Sequence, residues 1–356
     1  MSKVGILTYH FTINFGATLQ AYALYQLIKE HGYEVEFIDY RPKWLRVLDS
    51  RYLYWGFLRQ RYLPSPYFIS GAVKAWKMRQ FLISNMNLSS KTYYTKEELK
   101  NCENEYDVVI CGSDEIWNIN REFDTSYFLD FISNPKTRKI SYAASFGSTT
   151  SLGDQKNSVC NLLKDFYAIS VRDTNSVKLV NECSREATKV LDPTFLGDFT
   201  KIIKYPEVKN KYILVYGNLT KEEGNYVKSV ADMEGLDIIC VGARPGRGNP
   251  HINLIGIGPD EWLGYFARAS YVFTSFFHGV VFSIIFKKPF TNFPRLDRPI
   301  KVKDLLLDLG LENRIITNEK ISQAKPKLPE EISWENLNLE KMIEQSKIHL
   351  LNSLEN

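Results

Sequence analysis

The sequence predicts an α/β protein of two Rossmann-like domains that face a cleft, followed by a C-terminal helix. Short apolar runs typical of buried strands alternate with segments of helical periodicity, which favours parallel sheets with right-handed crossovers. The length of 356 residues fits two domains, and a composition of 44% hydrophobic and 24% charged residues is typical of a globular chain. A linker of mixed charge containing Pro206 separates two such series of elements.

The first series predicts an N-terminal domain over residues 1–198, interrupted by a basic and aromatic insertion at 41–105. It opens with a strand, a turn at Gly16 and a helix over 17–30, which His31 and Gly32 end. Strands are expected at residues 3–8, 34–38, 106–111, 139–143, 168–171 and 189–192.

The second series predicts a C-terminal domain over residues 211–330 and a terminal helix within 331–356. Strands are expected at residues 212–216, 237–241, 253–255, 271–274 and 289–292. Helices are expected at residues 221–233, 260–269, 279–286, 302–309 and 334–354. In such sheets ligands bind at the carboxyl ends of the strands, so these ends are the places to look for a site.

Charge and cysteine content narrow the class of protein. The formal charge of +4 is too small to indicate a nucleic-acid partner, but residues 41–80 alone carry +8 and nine aromatic side chains. Five scattered cysteines without a CxxC pair suggest neither a disulfide framework nor a zinc ribbon. With no signal peptide and no long apolar run, we expect a cytoplasmic protein that does not span a membrane.

Two loops of the N-terminal domain carry candidate substrate-binding residues. Asn14 and Gly16 lie where a helix N-terminus offers N–H groups to a phosphate or carboxylate. The alternative is that Asn14 only caps the helix and Gly16 only lets the backbone turn. In the second loop, Ser113 and Asp114 are available to cap a helix and Trp117 to pack on a sugar ring, although the same pattern fits a capping box without ligand.

The remaining candidates are cationic or able to transfer a proton. Arg172 follows an apolar strand, where it would hold an anion or, alternatively, pair internally with Asp173 or Asp192. His278 lies in a strand-to-helix turn after Ser275, where an imidazole suits proton transfer, although a lone histidine is more often a structural residue. Arg295 and Arg298 lie in a loop after a later strand, where they would bind an anion, although a loop of charges is usually only solvated surface. No second His or Cys stands at metal-ligand spacing, so we expect no metal.

These motifs together resemble the polysaccharide pyruvyl transferase family. The segments that carry the resemblance are GILTYH (5–10), NFGATLQAY (14–22), VICGSDEIWN (109–118), YAASFG (142–147), SVRD (170–173), LDP (191–193), SFFHGVVFS (275–283) and KPF (288–290). The resemblance implies a GT-B-like fold and transfer of the enolpyruvyl unit of phosphoenolpyruvate onto two sugar hydroxyls, with no cofactor beyond this co-substrate. The N-terminal domain would then bind the acceptor and the C-terminal domain the phosphoenolpyruvate.

The resemblance also implies roles for individual residues. Arg172 would contact phosphoenolpyruvate, His278 would act as general acid or base, and Arg298 stands where several relatives have Lys. Some members carry Arg two positions before the histidine, where this chain has Phe276, so that Arg295 is a candidate to replace that contact. Asp114 and Asp173 are candidate bases.

Alternative functions are a GT-B glycosyltransferase that uses a nucleotide sugar and a non-catalytic saccharide-binding protein. The implied acceptor is a sugar of a bacterial capsular, exopolysaccharide or cell-wall glycan precursor, with undecaprenyl diphosphate as a candidate carrier. Cations and aromatic rings at 41–80 fit a peripheral contact with the inner face of the membrane. They equally fit aromatic rings packed between helices with charges facing water.

Overall fold

The computed structural model describes residues 2–45, 66–242, 250–295, 299–323, 328 and 331–355, which divide into two α/β units. The N-terminal unit contains residues 2–45, 78–198 and 339–355. The C-terminal unit contains residues 66–77 and the described part of 199–338.

A seven-stranded sheet with every pair parallel forms the N-terminal unit, in the order β3-β2-β1-β4-β5-β6-β7. Its strands are β1 (Lys3–Leu7), β2 (Glu34–Tyr40), β3 (Leu88–Tyr93), β4 (Val108–Asp114), β5 (Arg138–Ala144), β6 (Phe166–Val171) and β7 (Thr188–Lys189). The direction of strand addition reverses between β1 and β4, and a doubly wound sheet binds ligands beside such a reversal.

A five-stranded parallel sheet forms the C-terminal unit, in the order β10-β9-β8-β11-β12. Its strands are β8 (Tyr212–Tyr216), β9 (Asp237–Val241), β10 (Ile252–Leu254), β11 (Tyr271–Thr274) and β12 (Phe290–Asn292). Here the reversal lies between β8 and β11. The fold class predicted from the sequence, α/β with two parallel sheets, is confirmed.

Helices lie between the strands of both sheets and after the last strand, β12. They are α1 (Phe15–Glu30), α2 (Pro66–Asn85), α3 (Lys96–Leu99), α4 (Lys156–Leu163), α5 (Thr174–Asn181), α6 (Lys221–Glu234), α7 (Pro259–Arg268), α8 (Phe277–Ile285), α9 (Pro299–Asp308), α10 (Asn318–Gln323) and α11 (Leu339–Leu354). None of the helices among the described residues is long and apolar enough to cross a membrane.

Local sequence explains where these elements begin and end. Asn14 caps α1, and Gly32 follows that helix with a φ of +83°, a left-handed conformation that glycine adopts without strain. Strands such as β8 are buried along their whole length because helices cover both faces of a parallel sheet. That is why continuous apolar runs in the sequence marked most of the strands. The strand expected at residues 189–192 is wrong in its bounds, because β7 covers only Thr188–Lys189.

The interval 41–105 differs from expectation, because it contributes a strand to the sheet. β3 pairs in parallel with β2 at the edge, and α2 precedes it. The strand was missed because its sequence, LSSKTY, is largely polar, as an edge strand can be.

The C-terminal helix α11 belongs to the N-terminal unit. Arg138 at the start of β5 donates a hydrogen bond of 2.7 Å to the carbonyl oxygen of Leu354, and the Ser346 hydroxyl accepts one from the backbone N–H of Leu191 at 3.0 Å. These hydrogen bonds fix α11 to the N-terminal unit.

Two of the five cysteines form a disulfide. It joins Cys160 in α4 to Cys183, which follows α5, with the Cα atoms 4.8 Å apart. The scattered spacing of the cysteines did not predict this bridge. Cys102, Cys111 and Cys240 are buried thiols.

Candidate functional site

The loop between β1 and α1 is organised by Asn14. Its side-chain oxygen accepts hydrogen bonds from the backbone N–H groups of Gly16 and Ala17, at 3.0 and 3.4 Å. Asn14 is exposed and Gly16 is buried. The structure thus places Asn14 in the capping role that the sequence offered as an alternative, while contact with a substrate stays a prediction.

The end of β4 is an unusual backbone segment. Ser113 and Asp114 have φ of +24° and +75°, a region that residues other than glycine seldom occupy and that is often found at functional sites. The Ser113 hydroxyl donates to a carboxylate oxygen of Asp192 at 3.2 Å. Our prediction that Ser113 and Asp114 cap a helix is wrong, because both belong to β4 and the next element is the short 3₁₀ turn Thr125–Phe128.

Arg172 lies within this group and forms an internal ion pair. Its guanidinium is 2.6 Å from Asp192 and 3.6 Å from Asp114, and both Arg172 and Asp192 are buried. Burial alone would lower the pKa of the guanidinium, but the negative charges of Asp192 and Asp114 outweigh that effect and raise the pKa. Arg172 therefore stays charged, and Asp114 is its looser partner.

Asp173 is also occupied. Its carboxylate accepts a hydrogen bond of 2.8 Å from the backbone N–H of Ser176 as the N-cap of α5, and another of 2.6 Å from the Ser145 hydroxyl. The carboxylate of Asp114 is 18% exposed, whereas Asp173 is 1% exposed. Of the two candidate bases, Asp114 is the accessible one.

Trp117 does not lie on a surface where a sugar could pack. It is 1% exposed, its indole N–H donates to the carbonyl oxygen of Tyr127 at 3.0 Å, and its ring stacks on Phe128. The sequence expectation for this residue is corrected: Trp117 is part of the core of the N-terminal unit.

In the C-terminal unit, the turn from β11 to α8 carries Ser275 and His278. The Ser275 hydroxyl accepts a hydrogen bond of 3.0 Å from the backbone N–H of Asn218. The Thr274 hydroxyl donates to the carbonyl oxygen of Tyr216 at 2.6 Å and accepts from the Phe276 N–H at 3.1 Å. These bonds tie the turn to the end of β8.

Gly279 keeps this turn compact. A Cβ atom at this position would lie 2.0 Å from the hydroxyl oxygen of Thr274, a distance that no side chain could occupy. His278, the residue before Gly279, lies in the first turn of α8 and is only 9% exposed. Phe276, the N-cap residue, makes no side-chain cap with any described residue, so the start of α8 can receive an anion from outside the helix.

Arg295 lies against this helix start. Its guanidinium carbon is 6.0 Å from the centroid of the Phe276 ring, and the side chain is half-buried. The structure thus brings Ser275, His278 and Arg295 to the same end of the C-terminal sheet. Arg298 lies outside the described residues. Within the described segments, no three His, Cys, Asp or Glu side chains come together in a way that could hold a metal ion.

Sequence reasoning missed a polar cluster at the carboxyl ends of β1 and β2. The buried His10 and the half-buried Arg41 share the carboxylate of Asp39, at 3.0 Å from His10 Nε2 and at 2.7 and 2.8 Å from two Arg41 nitrogens. The Thr92 hydroxyl donates to the same carboxylate at 2.7 Å. Asp39 and Arg41 follow the strand predicted at residues 34–38. Their position at the carboxyl end of a strand was the sequence feature that could have identified this cluster.

Hydrogen bonding sets the charge of Asp39. Burial would raise the pKa of its carboxyl, but the hydrogen bonds from His10 and Arg41 outweigh burial and lower the pKa to about 2. A carboxyl whose pKa is lowered by folding stabilises the fold above its unfolded pKa, and that contribution is lost as the pH falls towards 2.

We therefore expect Asp39→Asn to reduce the free energy of unfolding by about 2 kcal/mol at pH 7 and by roughly half as much at pH 3. Urea denaturation at the two pH values measures both differences. Asp232→Asn, at an exposed helix pair with Lys228, is the control and should change little. An Asp39→Asn effect that does not shrink at pH 3 would contradict the assigned cause.

Comparisons with known proteins place the chain in a family. The sequence profile of the polysaccharide pyruvyl transferase family matches residues 14–297, whereas no curated protein sequence matches at a significant level. Similar solved structures include UDP-GlcNAc 2-epimerase from Methanocaldococcus jannaschii, with 13% identity, coverage of 99% of this chain and 100% of that chain, and a TM-score of 0.53.

Two further structures show the same likeness in fold. UDP-N-acetylglucosamine 2-epimerase from Rickettsia bellii is 11% identical, with 99% of this chain and 96% of that chain covered and a TM-score of 0.52. The glycosyltransferase SsfS6 from Streptomyces sp. SF2575, complexed with thymidine diphosphate, is 11% identical, with 100% of both chains covered and a TM-score of 0.51. These likenesses establish the GT-B-like fold alone. With most of its length matched by the family profile, the chain belongs to the polysaccharide pyruvyl transferase family.

Proposed function

We propose that the protein transfers the enolpyruvyl unit of phosphoenolpyruvate to two hydroxyls of one sugar, forming a pyruvate ketal on a bacterial glycan precursor. The observation that carries this proposal is the family match over residues 14–297, which includes the loops at the carboxyl ends of both sheets. The His278 turn and the Arg172 group lie on these loops.

The reaction needs balanced proton transfer. A proton adds to the methylene carbon of phosphoenolpyruvate, the first sugar hydroxyl attacks the adjacent carbon, and its O–H proton is released. The C–O bond to phosphate then breaks, the second hydroxyl attacks, and its proton leaves as inorganic phosphate departs with one proton. The residues must therefore supply one acid, one base and a site for two anionic groups.

His278 is the proposed acid. It lies in the first turn of α8, next to the uncapped helix start that favours an anion. An imidazolium there would protonate the methylene carbon or the departing phosphate. Asp114, the accessible carboxylate of the Arg172 group, is the proposed base for an acceptor hydroxyl.

Two arginines are proposed to hold phosphoenolpyruvate. The guanidinium of Arg295 lies near the ring of Phe276, the position at which some relatives carry Arg. We therefore propose that Arg295 supplies the donor contact that Arg makes in those relatives. Arg172 is proposed to bind the donor by exchanging its longer ion pair, the one with Asp114 at 3.6 Å, for an ion pair with the carboxylate or phosphate of phosphoenolpyruvate. Arg298 remains a third candidate.

We expect Arg295→Gln to raise the KM for phosphoenolpyruvate at least about tenfold, because a charged hydrogen bond to the donor is lost. Initial rates at varied phosphoenolpyruvate measure the change, and Arg295→Lys, which keeps the charge, should recover part of it. Arg268→Gln is the matched control, since Arg268 also lies over an aromatic ring, that of Tyr205. An unchanged KM in Arg295→Gln would remove Arg295 from the donor site.

We further propose that the acceptor is carried on a membrane lipid and that the protein docks peripherally. Residues 46–65, half of the 41–80 window, lie outside the described residues, but α2 exposes Ile69, Val73 and Trp76, with Trp76 60% exposed. Their spacing of four and three residues puts them on one helix face, where an apolar stripe among cations suits an anionic membrane.

We expect Trp76→Ser to lower co-sedimentation with vesicles of phosphatidylglycerol severalfold, because the exposed indole no longer enters the interface. Vesicles of phosphatidylcholine should bind the unchanged protein weakly. Tyr205→Ser, at another exposed aromatic residue, is the control. Equal binding of Trp76→Ser and the unchanged protein would exclude this helix face as the contact.

The function itself is tested by phosphate release. The protein is incubated with phosphoenolpyruvate and a panel of free and lipid-linked glycosides, and we expect phosphate release that depends on one class of acceptor. Thermal stabilisation by UDP or GDP but not by phosphoenolpyruvate would instead favour a nucleotide-sugar glycosyltransferase of the same fold.

A further inference from the structure

We propose that the N-terminal unit binds a phosphate or diphosphate group at a cluster of five residues beyond the ends of β1 and β2. The Phe11 cluster comprises His10, Phe11, Asp39, Arg41 and Arg79. The guanidinium carbon of Arg41 lies 3.8 Å from the centroid of the Phe11 ring, and that of Arg79 lies 4.9 Å from it. One aromatic ring therefore holds two guanidinium groups together at the surface.

The cluster carries an excess of positive charge. His10 Nδ1 lies 3.1 Å from the carbonyl oxygen of Thr8, and Nε2 lies 3.0 Å from the carboxylate of Asp39. Arg41 and Arg79 are two cations beside the single carboxylate of Asp39.

Arg79 is the cation that is left for a ligand. Among the described residues, no carboxylate lies within ion-pair distance of its guanidinium, and its side chain is exposed. Arg41, by contrast, is fixed by its two hydrogen bonds to Asp39, yet its side chain stays 23% exposed. A fixed guanidinium beside an exposed one is an arrangement that suits a group with several oxygens, such as a phosphate or diphosphate.

The position of the cluster agrees with ligand binding. Phe11 follows β1 and Arg41 follows β2, so both lie beyond the carboxyl ends of these parallel strands. Doubly wound proteins bind their ligands on that side of the sheet. Identification of the anion as the phosphate of the sugar acceptor rests on the proposed function, whereas binding of the anion does not. The diphosphate of a sugar nucleotide and that of a prenyl carrier share this chemistry.

The test is calorimetric titration of the full-length protein with inorganic pyrophosphate, without phosphoenolpyruvate. We expect Arg79→Gln to weaken one pyrophosphate site at least about tenfold and Phe11→Leu to weaken it severalfold. Arg268→Gln, another exposed guanidinium over a ring, should leave the titration unchanged. Arg295→Gln should also retain this site, which separates it from the donor site.

Titrations with UDP and with farnesyl diphosphate distinguish the two sources. Tighter binding of farnesyl diphosphate, lost in Arg79→Gln, would identify a prenyl carrier, and tighter binding of UDP a nucleotide. Equal pyrophosphate affinity in Arg79→Gln and the unchanged protein, or no binding at all, would overturn the proposal. Failure of pyruvyl transfer with every acceptor would refute the proposed function and leave this binding result intact.

Discussion

His278→Gln should lower kcat for pyruvyl transfer by about 10²- to 10⁴-fold, the range that general acid catalysis contributes. Glutamine is close in size and can still form hydrogen bonds, but it cannot deliver a proton. The structure supports this assignment, because His278 stands in the first turn of α8 and the turn before it is tied to β8 through Thr274 and Ser275. A residue held in this way can present its ring to a substrate without reordering the backbone.

The matched control is His251→Gln. His251 lies in the same unit, its side chain is 47% exposed, and its Nδ1 accepts a hydrogen bond of 3.0 Å from the backbone N–H of Ile238. Rates of phosphate release at saturating phosphoenolpyruvate measure kcat for both variants, and circular dichroism checks that both are folded. If His278→Gln keeps the full rate, His278 is not the acid.

Arg172→Met should lower the free energy of unfolding by about 3–5 kcal/mol, because the change leaves the buried charge of Asp192 without its partner. The side chain of Asp192 is 0% exposed, and the hydrogen bonds that it accepts from Ser113 and Thr194 come from neutral groups. Hydroxyl and amide donors do not replace a guanidinium that lies 2.6 Å away.

A second substitution separates the lost charge pair from lost packing. Asn at position 192 keeps an oxygen that can accept the Thr194 N–H but removes the charge, so Arg172→Met with Asp192→Asn should recover at least about 1 kcal/mol of the loss. Urea denaturation of the single and double variants gives both values. A double variant less stable than Arg172→Met would contradict the account of this ion pair.

The fold followed from the sequence because parallel sheets bury both faces of their strands. Continuous apolar runs then mark each strand, and β9 and β11 match the predicted intervals residue for residue. The same reasoning could not find β3, since an edge strand needs no apolar run. The disulfide between Cys160 and Cys183 depends on how α4 and α5 pack, which spacing along the chain does not reveal.

The candidate sites were only partly predictable. Strand ends identified Arg172 and His278 as candidates, but the choice between an internal ion pair and a ligand contact for Arg172 required the distance to Asp192. Trp117 was misassigned because an aromatic residue after a strand looks the same in sequence whether it faces a ligand or the core. The Phe11 cluster joins residues that lie far apart in sequence, so only the folded chain brings Arg79 to Phe11.

The most direct test of the proposed ketal transfer is a mass spectrum of a defined glycoside after incubation with phosphoenolpyruvate. We expect the acceptor to gain the mass of one carboxyethylidene group, with one phosphate released per acceptor converted, and His278→Gln to yield almost none of this product in the same time. An acceptor that gains a hexose from a nucleotide sugar, or no mass from phosphoenolpyruvate under any condition that releases phosphate, would contradict the proposed reaction.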